Sequence, residues 1–164
     1  MKWFIVVLVG LVGCGGKEVA LEIAPVDITR AHACALDGMT VIDHHGPKAQ
    51  ILRRDGSRAL FCNATEALGE LLDPARSEEV TATWLQALDE HPWESHPDGW
   101  VLAGELFIVS GSSKIGSMGP TLAPFVSRVR AEKFVANYGG RIYRLEEIDG
   151  AVLEALKRQG MGEL

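Results

Sequence analysis

The chain lacks the cysteine and histidine motifs of several common functional classes. It has no Cys-x-x-Cys, no Cys-x-x-Cys-His and no His-Glu-x-x-His segment, so thioredoxin-type exchange, covalent haem attachment and zincin chemistry lack their residues. Basic residues are also few, with 16 Lys and Arg against 22 Asp and Glu and a formal net charge of -6. A net-acidic protein has little electrostatic attraction for nucleic acid, which we therefore do not expect as a partner.

The first thirteen residues have the pattern of a secretory signal. Lys2 provides the positive charge, and a short apolar run over residues 3–12 follows it. That run is too short for a transmembrane helix, and no later run is long and apolar enough to span a bilayer. Leu11-Val12-Gly13-Cys14 is typical of a lipoprotein cleavage site, although an ordinary signal peptide with a chance cysteine remains an alternative. We expect residues 1–13 to be removed, Cys14 to be lipidated and residues 14–30 to tether the domain to a membrane.

Two segments of the chain show the same order of predicted elements. With 47% hydrophobic residues among 164, the chain can bury a core without a metal or a disulfide. In the first segment, strands over 48–53 and 58–62 flank an Asp-Gly turn, and Val80 begins a third strand. Between them the pattern predicts a helix that Asn63 caps, with Glu66 in the capping-box position and Pro74 at its end.

The second segment repeats this pattern. Strands are predicted over 100–102 and 106–110, Ser127 caps a helix, and strand 141–145 precedes a last helix over 149–158. The segments 61–67 and 125–131 share a Phe, a cap residue and an Ala at matching positions. The sequence therefore predicts an α+β fold of two similar ββαβ halves, over 31–90 and 98–158. In the joint between them, His91 and His96 are expected to be solvated.

The segment around Cys34 is the strongest candidate for metal chemistry. An Asp-Gly turn at 37–38 should bring Cys34 and Met39 back toward each other. Met118 lies in another glycine-flanked loop, which is not where a packing methionine is expected. A thiolate and thioethers are soft donors, which suit Cu(I) better than Zn(II), Ca(II) or Fe(II). His32, two residues before Cys34, can complete or gate such a site.

Structural interpretations of the same residues remain open at this point. Outside the cytoplasm, the default fate of Cys34 and Cys62 is a disulfide. Met39 can equally be a residue of the first strand, and a Cys-x4-Met pair is by itself a weak signal. Spacing alone does not decide between a copper site and a structural disulfide.

Two stretches of the chain closely resemble the NosL family, the accessory lipoproteins of nitrous oxide reductase. They are AHACALDGMTVIDHHGPKAQI, from 31 to 51, and GWVLAGELFIVSGSSKIGSMGPTLAPF, from 99 to 125. The resemblance implies a lipid-anchored periplasmic Cu(I) chaperone, not an enzyme, that supplies copper for the copper–sulfide centre of nitrous oxide reductase and acts with its maturation machinery. It also implies two ββαβ halves related to organomercurial lyase. Carried over by position, the Cu(I) donors are Cys34, Met39 and Met118, with His32 as a further candidate.

Other classes compete with the copper chaperone. Cys34, Asp37 and Cys62 together would suit an organomercurial-lyase-like enzyme, in which two thiolates take the metal and an acid protonates carbon. However, the turn already explains Asp37, and the methionines have no part in that reaction. A structural lipoprotein with a Cys34–Cys62 disulfide is the third class. A blue-copper electron carrier is disfavoured because its ligands cluster near the end of a β-sandwich.

Overall fold

The computed structural model of the protein describes residues 23–161. The predicted signal peptide, Cys14 and the first part of the predicted tether lie outside the described residues. Within 23–161, no helix has both the length and the apolar character needed to cross a membrane. The chain forms two antiparallel sheets flanked by helices, together with a small hairpin.

The first sheet is built from the segment up to residue 102. Its strands lie in the order β2-β1-β3-β4, and every pairing is antiparallel. Strand β2 is therefore an edge strand, and β1 pairs with β2 so that Ala49 faces Phe61. The elements are β1 (Ala49–Arg53), β2 (Arg58–Phe61), α1 (Glu66–Leu71), α2 (Pro74–Ser77), β3 (Val80–Gln86) and β4 (Trp100–Leu102).

The second sheet has three strands in the order β8-β5-β9, again antiparallel. A two-stranded hairpin, β6–β7, is inserted between β5 and β8. Helix α3 begins after Ser127, whose Oγ accepts a hydrogen bond from the Arg130 amide as the sequence predicts. The elements are β5 (Phe107–Ser110), β6 (Ile115–Gly116), β7 (Gly119–Pro120), β8 (Ala123–Phe125), α3 (Arg128–Tyr138), β9 (Arg141–Tyr143) and α4 (Gly150–Gly160).

The predicted α+β fold of two similar ββαβ halves is confirmed. In each half the first strand is central, the second strand flanks it, and the strand after the helix pairs on the other side. Phe61 and Phe125, which the sequence match aligns, end the equivalent strands β2 and β8. Some details differ from expectation. The strand that pairs with β5 ahead of helix α3 is β8, which was not predicted. Strand β4, placed in the second half, pairs with β3, and Pro74 begins the short helix α2 with Asp73 as its cap instead of only ending α1.

Alternation along β2 separates two regions of the core. Ala59 and Phe61 face the main core, which also contains Leu106 and Ile108 of the second half. The intervening Leu60 faces the opposite side of the sheet, and Cys62, one residue beyond the strand, lies on that same side. There they pack with Ile28, Cys34 and Val41 from the N-terminal segment. The second face of the first sheet is thus covered by the segment that carries Cys34.

Candidate metal centre

Residues 33–40 form a tight hairpin that presents Cys34. Ala33 bridges to Thr40, and the Cys34 amide donates to the Met39 carbonyl at 2.7 Å. The turn closes through Gly38, which has a φ of 76° and whose amide donates to the Cys34 carbonyl at 2.9 Å. Asp37 Oδ1 accepts a hydrogen bond from the Met39 amide at 3.0 Å, as expected of an Asp in this position. The predicted Asp-Gly turn is confirmed, and it places Cys34 and Met39 opposite each other.

The hairpin is fixed to the free edge of β2, which brings its cysteine to Cys62. The Ala35 amide donates to the Leu60 carbonyl at 2.7 Å, so the loop extends the sheet by one bond. Cys34 is 4% exposed and Cys62 is fully buried, and both thiols are free. Cys34 Sγ, Cys62 Sγ and a carboxylate oxygen of Asp37 all lie within 4.8 Å of one another. Residues from two distant segments therefore converge on one point, and both sulfurs are free thiols rather than the alternative disulfide.

Glu66 has a different role from the predicted capping box. Helix α1 starts two residues later than such a box requires, and Asn63 Oδ1 instead turns the chain by accepting a hydrogen bond from the Thr65 amide. The Glu66 carboxylate faces the two thiols. Cys34 Sγ donates to its Oε2 at 3.4 Å, and Cys62 Sγ lies 3.8 Å from each carboxylate oxygen. Glu66 thus joins both sulfurs to a common hydrogen-bond acceptor.

Burial controls the protonation of this cluster. Burial raises the pKa of the Cys62 thiol to about 12. A hydrogen bond with Ser117 lowers this pKa, and repulsion from Glu66 raises it further. Burial likewise raises the pKa of Glu66, which the hydrogen bond with Cys34 opposes. In the metal-free protein Cys62 is therefore a thiol near neutral pH. A metal ion bound by this sulfur must displace its proton.

Hairpin β6–β7 brings Met118 to the same end of the molecule. Ser117 Oγ donates to the Cys62 carbonyl at 2.9 Å, and Thr121 Oγ1 donates to Asn63 Oδ1 at 2.6 Å. Gly116 makes the close approach possible, because a Cβ there would lie 3.1 Å from Asn63 Nδ2. Met118 occupies the turn beside Ser117 and is 55% exposed, while Met39 is 38% exposed. Both methionines are therefore exposed, on loops that adjoin the segments carrying the two cysteines.

His32 and His96 lie in different surroundings. His32 Nδ1 accepts a hydrogen bond from the Thr29 amide at 3.0 Å, so the proton of a neutral ring is on Nε2 and neither nitrogen offers a lone pair to a metal. The expectation that both histidines of the joint are solvated is wrong for His96, which is 7% exposed and stacks on His91 with ring centroids 4.4 Å apart. Burial lowers the pKa of His96.

The sequence pointed to Cys34 as a copper ligand, but it related Cys62 to Cys34 only in the two alternatives, the structural disulfide and the organomercurial-lyase-like trio with Asp37. Glu66 was predicted only as part of a helix cap. One signal was available: strand alternation predicts that Leu60 and Cys62 share a face opposite Phe61. Two buried thiols beside the carboxylates of Asp37 and Glu66, with two exposed methionines on adjoining loops, offer soft donors that can bind a monovalent soft metal ion.

Comparison with known proteins gives a consistent result. The NosL family model matches residues 25–153. The copper-binding lipoprotein NosL of Stutzerimonas stutzeri is 35% identical over 147 residues, which covers 88% of this chain and 77% of that protein. The copper-binding lipoprotein NosL of Achromobacter cycloclastes is 32% identical over 146 residues, covering 84% and 74%. The crystal structure of the copper chaperone NosL from Shewanella denitrificans superposes with a TM-score of 0.75 at 30% identity, over 78% of this chain and 97% of that one.

The named relatives thus define a class of copper-binding lipoproteins and not of enzymes. This chain belongs to the NosL family. The resemblance found in the two sequence stretches is confirmed over nearly the whole of the described chain. The relation of the two halves to organomercurial lyase and the exact boundaries of the halves stay predictions.

Proposed function

We propose that this chain is a periplasmic, lipid-anchored Cu(I) chaperone that supplies copper for the copper–sulfide centre of nitrous oxide reductase. The observation that carries the proposal is the pair of free, buried thiols whose sulfurs lie within 4.8 Å of each other. Relatives named as copper-binding lipoproteins and as a copper chaperone support copper as the cargo.

The donor set favours the monovalent ion. Thiolates and thioethers select Cu(I), whereas carboxylate and water ligands suit harder ions. Binding exchanges two S–H protons for one Cu(I), so a bis-thiolate complex of net charge -1 forms and two protons pass to solvent. Met39 and Met118 then complete the coordination, with His32 as a further donor only if its bond from Thr29 opens.

Exposure of the methionines suits delivery. Cys34 and Cys62 are almost completely buried, but Met39 and Met118 are accessible. An incoming partner can therefore replace a thioether first and reach the thiolates afterwards, without a redox step. Lipid attachment at Cys14 would keep this exchange at the membrane, on the side where nitrous oxide reductase and its maturation machinery receive copper.

Competition titration tests the proposal. The reduced full-length protein in detergent micelles is titrated with Cu(I) against a chelator of known affinity. We expect one bound ion, loss of binding in Cys34→Ala, and affinities at least about tenfold lower in Cys62→Ala, Met39→Ala and Met118→Ala. Val129→Ala is the control truncation, since Val129 is 73% exposed on α3.

Two results would contradict the proposal. The first is the absence of stoichiometric Cu(I) binding by the reduced protein. The second is binding that survives in Cys34→Ala, which would place the metal elsewhere. Transfer is measured separately, by incubating the loaded protein with metal-free nitrous oxide reductase and its maturation factors and following copper into the acceptor.

A further inference from the structure

Lys48 is a buried lysine whose positive charge has no acidic side chain as a partner in the described part of the chain. Its side chain is 0% exposed, and it is the largest fully buried side chain of the described chain. The ammonium donates to two backbone carbonyls, those of His44 at 2.6 Å and Gly46 at 2.5 Å. Among residues 23–161, none of the ion pairs to an acidic side chain includes Lys48. A buried cation without an anionic partner is costly, so its charge requires an explanation.

The position of Lys48 places that charge at the metal centre. Lys48 directly precedes β1 and Cys62 directly follows β2, and the register pairs the neighbouring residues Ala49 and Phe61. The two residues therefore stand side by side at the same end of the strand pair. Burial lowers the pKa of Lys48 to about 8, and a negative charge on the Cys62 sulfur opposes this shift once that thiol loses its proton. His96 also interacts electrostatically with Lys48.

The charges of the loaded centre supply the missing partner. Two thiolates and one Cu(I) carry a net charge of -1, and Asp37 and Glu66 lie beside them. An anionic complex in a buried position is unfavourable unless a cation lies close to it. We propose that Lys48 is the counter-charge of this centre. Among the described residues its ammonium has no anionic partner in the empty protein, and the negatively charged Cu(I) complex supplies one. This inference rests on the proposed Cu(I) function.

A purely structural role is the competing explanation. The bonds to His44 and Gly46 hold the turn that leads into β1, and a residue that only braces this turn would affect stability but not the metal. The two explanations differ in their dependence on Cys62. A counter-charge acts through the thiolate of Cys62, whereas a brace acts without it.

A double-mutant cycle separates these roles. In the full-length reduced protein, we expect Lys48→Met to weaken Cu(I) binding about tenfold or more, because a full unit charge is removed from a site of low effective dielectric. In the Cys62→Ala background the same change should weaken binding less than about threefold, since the complex no longer carries a net negative charge there. Lys133→Met is the matched control, because it removes one exposed lysine charge on α3 and should leave the affinity unchanged.

A measurement on the unmodified protein keeps the test independent of folding. If the protonated form of Lys48 raises the Cu(I) affinity tenfold, then by linkage bound Cu(I) must raise the pKa of Lys48 by about one pH unit. NMR of lysine labelled with ¹³Cε and ¹⁵Nζ follows this pKa in the empty and loaded protein. An unchanged or lowered pKa, or an equal effect of Lys48→Met with and without Cys62, overturns the inference. If the unmodified protein binds no Cu(I) at all, the proposed function itself fails.

Discussion

Lys48 gives the metal-free protein an unusual dependence of stability on pH. Its pKa is about 8 in the folded chain and 10.5 in its ordinary state. Between these two values the unfolded chain binds more protons than the folded chain. The free energy of unfolding must therefore rise with pH in this interval, whereas a lysine that gains an acidic partner would make it fall. Lys48→Met removes this dependence.

The magnitude follows from the two pKa values. For a single group with those values, linkage gives a rise of about 1.3 kcal/mol in the free energy of unfolding between pH 7 and pH 9. Cys62 acts in the opposite direction, because its pKa of about 12 in the fold lies above the ordinary 9.0, but it removes only about 0.4 kcal/mol by pH 9. Together these two groups should therefore add about 1 kcal/mol to the free energy of unfolding between pH 7 and pH 9.

Urea unfolding at pH 7 and pH 9, with reductant present and tryptophan fluorescence as the signal, measures this gain. The gain in the free energy of unfolding from pH 7 to pH 9 should be about 1.3 kcal/mol larger in the unmodified protein than in Lys48→Met, and this difference is the contribution of Lys48. Lys133→Met, which removes an exposed charge, should rise in parallel with the unmodified protein. Parallel curves for Lys48→Met and the unmodified protein would refute the reasoning, because they would mean that the buried ammonium titrates normally.

Two further results are expected. Oxidised glutathione should close a disulfide between Cys34 and Cys62, whose sulfurs lie within 4.8 Å of each other, and release two molecules of reduced glutathione. The oxidised protein should bind no Cu(I) until it is reduced. Cu(I) binding that persists after oxidation would exclude the thiols as ligands. Leu106→Ala should lower the free energy of unfolding by about 3 kcal/mol, because Leu106 is fully buried in the core shared by the two halves. Leu102 is 41% exposed, so Leu102→Ala should lower it by well under half as much in the same urea assay.

Local patterns were sufficient to predict most of the fold. Alternation and the Asp-Gly turn gave β1 and β2, Ser127 gave the start of α3, and the match between 61–67 and 125–131 gave the repeated topology. The pairing of β4 with β3 was not predictable, because a three-residue strand has no signal that selects its neighbour. Pro74 was ambiguous for a related reason, since proline is common both after a helix and at the first position of the next one.

The site was only half predictable, because its geometry depends on contacts between distant residues. Cys34 and Met39 share a local turn, so their proximity could be inferred from spacing. Cys62 is far from Cys34 in sequence, and only the docking of the hairpin on the edge of β2 brings the sulfurs together. Glu66 satisfied a local rule for helix caps, but tertiary packing directs its carboxylate to the thiols instead.

The docking of hairpin β6–β7 on Cys62 and Asn63 has a consequence for protein engineering. The proposed metal donors come from three segments that only the complete fold assembles, and Ser117 and Thr121 provide the bonds that join the last segment to the one carrying Cys62. Grafting the Cys34 hairpin alone onto another scaffold would transplant one thiol and one thioether without the second sulfur or the neighbouring cation. A portable copper-binding module from this chain therefore has to include both halves.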